Sequence, residues 1–152
     1  ELSPGLQALH KAKAQSNKTF DEIGKAIGRD EVWVAAAFYG QACARLEKED
    51  FIRLQEVFKG IEAYQEAASL LASDGPTFRG LGSASPTDPV IYRLYEGVLV
   101  YGHAIKAIIH EKFGDGIMSM IDCKVKVEKK EDPAGDRVLL TFDGKFLPYA
   151  KW

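Results

Sequence analysis

A segment rich in glycine, proline and serine divides the chain into two parts whose hydrophobic patterns differ. It lies within residues 74–88 and is the one long stretch of this composition in the sequence. Such a composition is typical of turns and linkers. We therefore predict a helical bundle over residues 1–75, a linker over 76–86 and a second domain over 87–152.

The first part repeats apolar residues at the three- and four-residue spacing of helices. Thr19 and Glu22 are placed to form a capping box, and Gly28 can end the same helix in the left-handed conformation. Further helices are predicted over about 31–38, after an Asp30 cap, over about 48–59 and over about 61–71. The predicted apolar helix faces are Leu6, Leu9 and Ala12; Ile23, Ala26 and Ile27; and Phe51, Leu54 and Phe58.

The helix, glycine turn and helix over residues 20–39 resemble a helix-turn-helix, the DNA-binding motif whose second helix enters the major groove. The second helix, residues 31–39, contains no Arg, Lys, Asn or Gln, which are the side chains that read bases and phosphates. Acidic residues also outnumber basic ones over residues 1–86. We therefore favour a bundle used for packing, and keep a transcription regulator with a C-terminal dimerisation domain as the alternative.

The second part begins with a long helix. Asp88 or Thr87 can cap it, Pro89 suits its first position, and the helical spacing continues to about Lys112. Its apolar stripe consists of Ile91, Leu94, Val98, Tyr101, Ile105 and Ile108. This spacing predicts an amphipathic helix.

Alternation of apolar and polar residues replaces the helical spacing from Gly116 onward and predicts strands. We predict a turn over residues 133–136, a strand over 137–142 and a second hairpin turn at Asp143-Gly144. The fold class is therefore α+β. One helix and a few strands are too few to bury a core alone, so we expect residues 87–152 to complete their core with a second copy.

Composition and charge exclude several classes of protein. An apolar fraction of 46% and a charged fraction of 28% are ordinary for a globular chain and argue against disorder. With 20 basic and 22 acidic residues, the chain lacks the basic excess of proteins that coat nucleic acid. No apolar run reaches the roughly 20 residues that span a bilayer, and no signal-peptide pattern is visible. We expect a cytoplasmic protein.

Arg93 and Glu96 are the most prominent polar pair on the long helix, because three-residue spacing puts them on one side of it. One interpretation is a surface ion pair of little energetic value. The other is a pair buried between subunits, since aromatic residues surround it and the rest of the helix is largely apolar. A buried arginine suits the binding of an anion.

The segment Gly114–Ser119 connects the helix to the strands and has two interpretations. Its glycines can let backbone amides converge on an anion while Ser119 supplies a hydroxyl. Alternatively, it is a simple turn with a capping serine. His103 and His110 lie two helical turns apart without a third ligand, so packing or a surface position is favoured over metal binding. Two cysteines without a Cys-x-x-Cys pair indicate neither a disulfide scaffold nor a zinc site.

Several motifs together resemble the cyanase family, also called cyanate hydratases or cyanate lyases. These motifs are Tyr92-Arg93-Leu94-Tyr95-Glu96, Val100-Tyr101-Gly102, Gly114-Asp115-Gly116-Ile117-Met118-Ser119 and Asp143-Gly144-Lys145-Phe146-Leu147-Pro148. Their order and spacing are specific over residues 87–148. The resemblance is looser over residues 1–86, where the helical bundle also fits.

The resemblance implies an enzyme that decomposes cyanate with bicarbonate as co-substrate, giving ammonia and carbon dioxide through carbamate. It implies Arg93, Glu96 and Ser119 as catalytic residues, with no cofactor and no metal. It also implies a bundle that does not bind DNA, a second domain interlocked in dimers, and a decamer of five dimers with sites between subunits. A protein that only binds small dianions is the remaining alternative.

Overall fold

The computed structural model describes residues 1–73, 80 and 82–152. The described chain has the predicted α+β composition, with helices first and a helix and two strands after them. The elements are α1 (Pro4–Ser16), α2 (Phe20–Ile27), α3 (Glu31–Phe38), a 3-10 turn (Ala42–Ala44), α4 (Lys48–Val57), α5 (Glu62–Ser73), α6 (Pro89–Phe113), β1 (Gly116–Lys130) and β2 (Arg137–Pro148).

The chain forms two compact units. One comprises Glu1–Gly80 and Val125–Leu140, and the other comprises Leu81–Lys124 and Thr141–Trp152. The predicted boundaries at 75/76 and 86/87 stay predictions, because part of the predicted linker, residues 76–79 and 81, lies outside the described residues.

The bundle packs α1 against α5, and α2 against α3 and α4. The predicted faces of α1 and α4 are confirmed, since Leu6, Leu9, Ala12, Leu54 and Phe58 are buried and Phe51 is partly buried. Other large buried side chains are Ile23, Ile27, Val34, Phe38 and Tyr64. Burying these apolar surfaces supplies the main stabilisation of the bundle.

The predicted face of α2 is wrong at one position. Ile23 and Ile27 are buried, but Ala26 is exposed and Gly24 is buried instead. At 3.6 residues per turn, positions 23, 24 and 27 share one side of the helix, whereas position 26 lies to its flank.

The predicted caps of the bundle are confirmed. The Thr19 hydroxyl accepts from the Glu22 amide at 3.1 Å, and the Glu22 carboxylate accepts from the Thr19 amide at 2.8 Å. Gly28 ends α2 with a φ of 74°, a left-handed conformation that glycine adopts without strain. Asp30 caps α3 by accepting from the Val32 amide at 3.1 Å. Local sequence therefore sets where these helices begin and end.

Helix α6 is confirmed, with Asp88 as its cap and Pro89 at its first position. None of its 25 residues, all of which the structure describes, is buried within the single chain. The whole predicted stripe is exposed to at least half of its area: Ile91, Leu94, Val98, Tyr101, Ile105 and Ile108. This exposure agrees with the expectation that residues 87–152 cannot enclose a core alone.

The strands β1 and β2 pair as one two-stranded sheet, joined over residues 131–136. The turn predicted at 133–136 lies in this connection, but the second turn predicted at Asp143-Gly144 is wrong. Strand β2 continues through both residues to Pro148. The glycine that suggested a turn is required for another reason: β1 passes too close to it for a side chain. No helix among the described residues combines the length and the apolar character needed to cross a membrane.

Candidate active site

Arg93 and Glu96 form the ion pair that their spacing predicts. The Nη1 atom of Arg93 lies 2.8 Å from Oε2 of Glu96, one turn apart on α6. The hydrogen bond that Arg93 donates to this carboxylate, followed by the charge of the carboxylate, raises the pKa of Arg93 above its ordinary value. An arginine is protonated at physiological pH even without such a partner.

The Arg93 side chain is exposed to 72% of its area in the single chain, and Glu96 to 46%. The guanidinium carbon of Arg93 lies 6.0 Å from the ring centroid of Tyr92. The centroid of that ring lies 6.2 Å from the ring centroid of Tyr95. The chain by itself thus forms a surface ion pair flanked by two aromatic rings. Burial of this pair between subunits stays a prediction.

Ser119 lies in strand β1 and is almost fully buried, with 4% of its area exposed. Its Oγ atom accepts from the backbone amides of Ile121, at 3.0 Å, and Asp122, at 2.9 Å. A hydroxyl has two acceptor lone pairs and one proton. Because both lone pairs are engaged, the remaining capacity of Ser119 is to donate its proton.

The segment before Ser119 contains the turn from helix to strand that one of its two interpretations predicts, and convergence of its amides on an anion stays a prediction. Gly114 ends α6 with a φ of 91°, and its amide donates to the carbonyl of His110. Strand β1 already begins at Gly116. Ser119 caps amides as the simpler interpretation predicted, but it caps them within β1, beyond the turn.

The single chain does not join the three predicted site residues by hydrogen bonds. Among the residues that the structure describes, Arg93 pairs with Glu96, while Ser119 bonds to amides of its own strand. All three belong to the same compact unit. Their convergence on one substrate stays a prediction.

The two histidines on α6 are predicted to serve packing or to lie at the surface, and His103 is exposed whereas His110 is partly buried. The Nε2 atom of His110 lies 3.3 Å from the Gly116 carbonyl oxygen and 4.0 Å from the Asp115 carboxylate. His110 therefore contacts the turn that joins α6 to β1. Within the described ranges, no three His, Cys, Asp or Glu side chains group closely enough to hold a metal ion.

Arg29, between the two helices of the segment that resembles a helix-turn-helix, contacts other residues of the bundle. Arg29 donates to both carboxylate oxygens of the buried Asp50 and covers the Trp33 ring at 4.5 Å from its centroid. Two of its three nitrogens are thus engaged within the bundle.

Sequence reasoning missed that Gly144 lies against Met118 and Ser119. A β-carbon on Gly144 would lie 2.5 Å from Cγ of Met118 and 2.7 Å from the backbone oxygen of Ser119. The available signal was a glycine inside an alternating strand pattern, which indicates a bulge or a close backbone approach as well as a turn.

Comparison with known proteins gives a consistent result over the whole chain. Residues 83–151 match the family model of the cyanate lyase C-terminal domain. The chain is 66% identical to a cyanate hydratase of Laccaria bicolor, over 100% of this chain and 90% of the relative. It is 44% identical to a cyanate hydratase of Synechocystis, over 100% and 97% of the two chains.

The fold gives the same answer. The crystal structure of cyanase from T. urticae matches with a TM-score of 0.73 and 35% identity, over 96% of this chain and 97% of the other. A transcription regulator, the alternative that the helix-turn-helix resemblance left open, is not favoured by these matches. The chain belongs to the cyanate hydratase family of enzymes.

Proposed function

We propose that this chain catalyses the bicarbonate-dependent decomposition of cyanate to ammonia and carbon dioxide, with Arg93, Glu96 and Ser119 as its catalytic residues. The observation that carries the proposal is the 66% identity to a cyanate hydratase over the full length of this chain. The Arg93–Glu96 ion pair supplies a positive charge, and the Ser119 hydroxyl, which accepts from two amides, supplies a hydrogen-bond donor; two anionic substrates require both.

Charge repulsion is the first obstacle to this reaction. Cyanate and bicarbonate each carry one negative charge, and two such charges about 4 Å apart repel by roughly 4 kcal/mol at an effective dielectric constant near 20. The permanently protonated Arg93 offsets this repulsion, and copies from neighbouring subunits would add to it. Holding both anions together also removes the entropy cost of their encounter.

Ser119 contributes an oriented hydrogen-bond donor. Amides of Ile121 and Asp122 occupy its lone pairs, so its proton is directed away from them. A donor held in place in this way stabilises an anionic oxygen without reorganising during the reaction. We assign Ser119 to binding and orienting an anion, and not to nucleophilic attack.

Apart from proton transfers, the proposed reaction forms one carbon–oxygen bond and then breaks one carbon–oxygen and one carbon–nitrogen bond. A bicarbonate oxygen attacks the cyanate carbon, and the bicarbonate proton moves to nitrogen, giving a dianionic adduct. With one proton from solvent, the bond between the former bicarbonate carbon and the bridging oxygen breaks, releasing carbon dioxide and carbamate. Carbamate takes up a second proton and separates into ammonia and a second carbon dioxide. Every charge on this path can be met by Arg93 and hydrogen-bond donors, so we propose no metal or organic cofactor.

Glu96 has two candidate roles in this scheme, positioning Arg93 or relaying a proton to nitrogen. The 2.8 Å contact with Arg93 supports the positioning role. A relay would require a carboxyl group that is protonated near neutral pH.

We also propose that the chain works as a homo-oligomer, a decamer of five dimers. The support is the exposed apolar stripe of α6, since contiguous apolar surfaces of this size mark protein interfaces. Light scattering on the purified protein should give ten times the chain mass of 16.8 kDa. A monomeric mass would contradict the proposal.

The two unpaired cysteines, Cys43 and Cys123, suit a reducing compartment, and we propose action in the cytoplasm.

The decisive experiment measures initial rates of ammonia release from cyanate, with and without bicarbonate, in buffer freed of carbon dioxide. We expect release with bicarbonate and almost none without it. Equal rates would reject the two-substrate scheme. Binding of both anions without any ammonia release would instead favour the binding protein considered above. A parallel reaction with a chelator should proceed at an unchanged rate.

A further inference from the structure

Strand β1 changes its burial pattern at Ser119. Successive side chains of a regular strand point to opposite faces, so buried positions should recur at every second residue. Gly116 and Met118 are the less exposed residues at the start of β1, but the next are Ser119, Cys123 and Val125. Ile121, two residues after Ser119, is 80% exposed, so the inward face shifts by one residue between Met118 and Cys123, as it does at a β-bulge.

The hydrogen bonds of Ser119 show the same irregularity independently. Consecutive backbone amides in a regular strand point in opposite directions and cannot both reach one atom. The amides of Ile121 and Asp122 nevertheless both donate to the Ser119 Oγ atom. The backbone after Ser119 therefore turns locally, and the serine side chain satisfies the amides that the turn releases.

Strand β2 leaves space for this irregularity at Gly144. A β-carbon there would approach the Ser119 backbone oxygen to 2.7 Å, and Cγ and Sδ of Met118 to 2.5 and 3.0 Å. Thioether and methylene groups of a flexible side chain can move away from such a contact. The Ser119 carbonyl belongs to the backbone and can move only if the irregular segment moves with it.

We propose that Gly144 is a positioning residue for the Ser119 hydroxyl. By carrying no side chain, it lets β1 turn at and after Ser119, and the turn holds Oγ between two amides so that its remaining hydrogen-bonding capacity is to donate its proton to an anion. This inference rests on the proposed function, in which Ser119 orients one of the two substrates.

The test is a double-mutant cycle with Gly144→Ala, Ser119→Ala and their combination, assayed for ammonia release at varied cyanate and bicarbonate concentrations. We expect each single variant to lower kcat/KM at least about tenfold. We expect both to raise KM for the same anion. The combined variant should be no worse than Ser119→Ala, because the alanine at 144 then has no hydroxyl to misplace. Lys145→Ala is the matched control in β2 and should behave as the wild type.

A purely structural role for Gly144 gives a different result. Partial unfolding lowers the concentration of active enzyme, so it reduces apparent kcat while leaving both KM values unchanged. Losses that multiply in the combined variant, or full activity of Gly144→Ala, would overturn the inference while leaving the cyanate activity established. Full activity of Ser119→Ala would instead remove the role given to Ser119 in the proposed function, and the inference with it.

A second variant covers the case in which Gly144→Ala does not fold. Adding Met118→Ala removes two of the three atoms nearest to the new β-carbon and leaves the third, the Ser119 carbonyl oxygen. We expect Met118→Ala/Gly144→Ala to remain at least about tenfold less active than Met118→Ala alone. Equal activity of the two would show that Gly144 makes room for Met118 and not for the Ser119 backbone, and would also overturn the inference.

Discussion

Glu96 accepts a hydrogen bond from Arg93 across one turn of α6, with 2.8 Å between Oε2 and Nη1. This contact orients the guanidinium, and that effect does not require the carboxylate to exchange a proton. Glutamine offers the same oxygen acceptor but cannot relay a proton.

We therefore expect Glu96→Gln to retain activity within about tenfold of the wild type, and Glu96→Ala to lose about a hundredfold. The measurement is the steady-state rate of ammonia release by each variant and by the wild type. If the glutamine variant is as inactive as the alanine variant, Glu96 relays a proton and the positioning role is wrong.

Arg93 is expected to be essential for turnover but not for folding. Arg93→Ala removes the fixed positive charge, so ammonia release should fall at least about a hundredfold while the mass in light scattering stays that of the wild type. Arg93→Lys restores the charge without the planar fork and should recover part of the rate.

The matched control for Arg93 is Arg45→Ala, an exposed arginine in the bundle, which should be fully active. Normal activity of Arg93→Ala would show that the anions bind elsewhere.

The ion pair between Arg29 and Asp50 is expected to stabilise the bundle and to make its stability depend on pH. Asp50 is 1% exposed and accepts from Arg29 at 2.9 and 3.1 Å and from the Glu47 amide at 3.0 Å. Burial raises the pKa of Asp50, but the Arg29 hydrogen bonds, the Glu47 amide and nearby positive charges outweigh it, so its pKa lies below the usual value.

A carboxyl group with a lowered pKa in the folded state stabilises the fold above its unfolded pKa, about 4, and this stabilisation is lost as pH falls below it. Asp50→Ala should lower the free energy of unfolding by about 3 kcal/mol at neutral pH. Urea unfolding from pH 7 down to pH 3 should show a smaller decline for the variant than for the wild type. Asp21→Asn, which breaks an exposed pair with Lys25, is the control and should have little effect. If Asp50→Ala and the wild type lose the same amount of stability as the pH falls, groups other than Asp50 cause the acid dependence.

Tyr64 is expected to limit stability at high pH. Its hydroxyl donates to the Phe51 carbonyl at 2.7 Å, and burial raises the pKa of Tyr64 to about 12. A group whose pKa is raised on folding stabilises the fold below its unfolded pKa, about 10, and that contribution disappears as pH rises from about 10 to 12.

Tyr64→Phe should lower the free energy of unfolding by about 1 kcal/mol at neutral pH, because the hydrogen bond to the Phe51 carbonyl is lost. Thermal unfolding between pH 8 and pH 12 should then show a shallower decline for the variant. A decline as steep as that of the wild type would mean that other groups cause it.

The chain's own sequence determined the helices, their caps and the Arg93–Glu96 contact, because each depends on residues within about four positions of one another. Thr19 with Glu22 and Asp88 with Pro89 place helix starts by local hydrogen bonding and geometry alone. The exposure of the α6 stripe also followed from the sequence, since residues 87–152 supply too little apolar surface to cover it.

Tertiary structure decided the surroundings of Ser119. Whether Asp143-Gly144 makes a turn or continues a strand depends on what lies opposite, and Met118 and Ser119 are more than twenty residues away in the chain. Both a turn and a close strand approach favour glycine, so its presence alone could not distinguish them. The pairing of β2 with β1 therefore decided that Gly144 lies within a strand, because the close approach of Met118 and Ser119 is a long-range contact that local preferences do not encode.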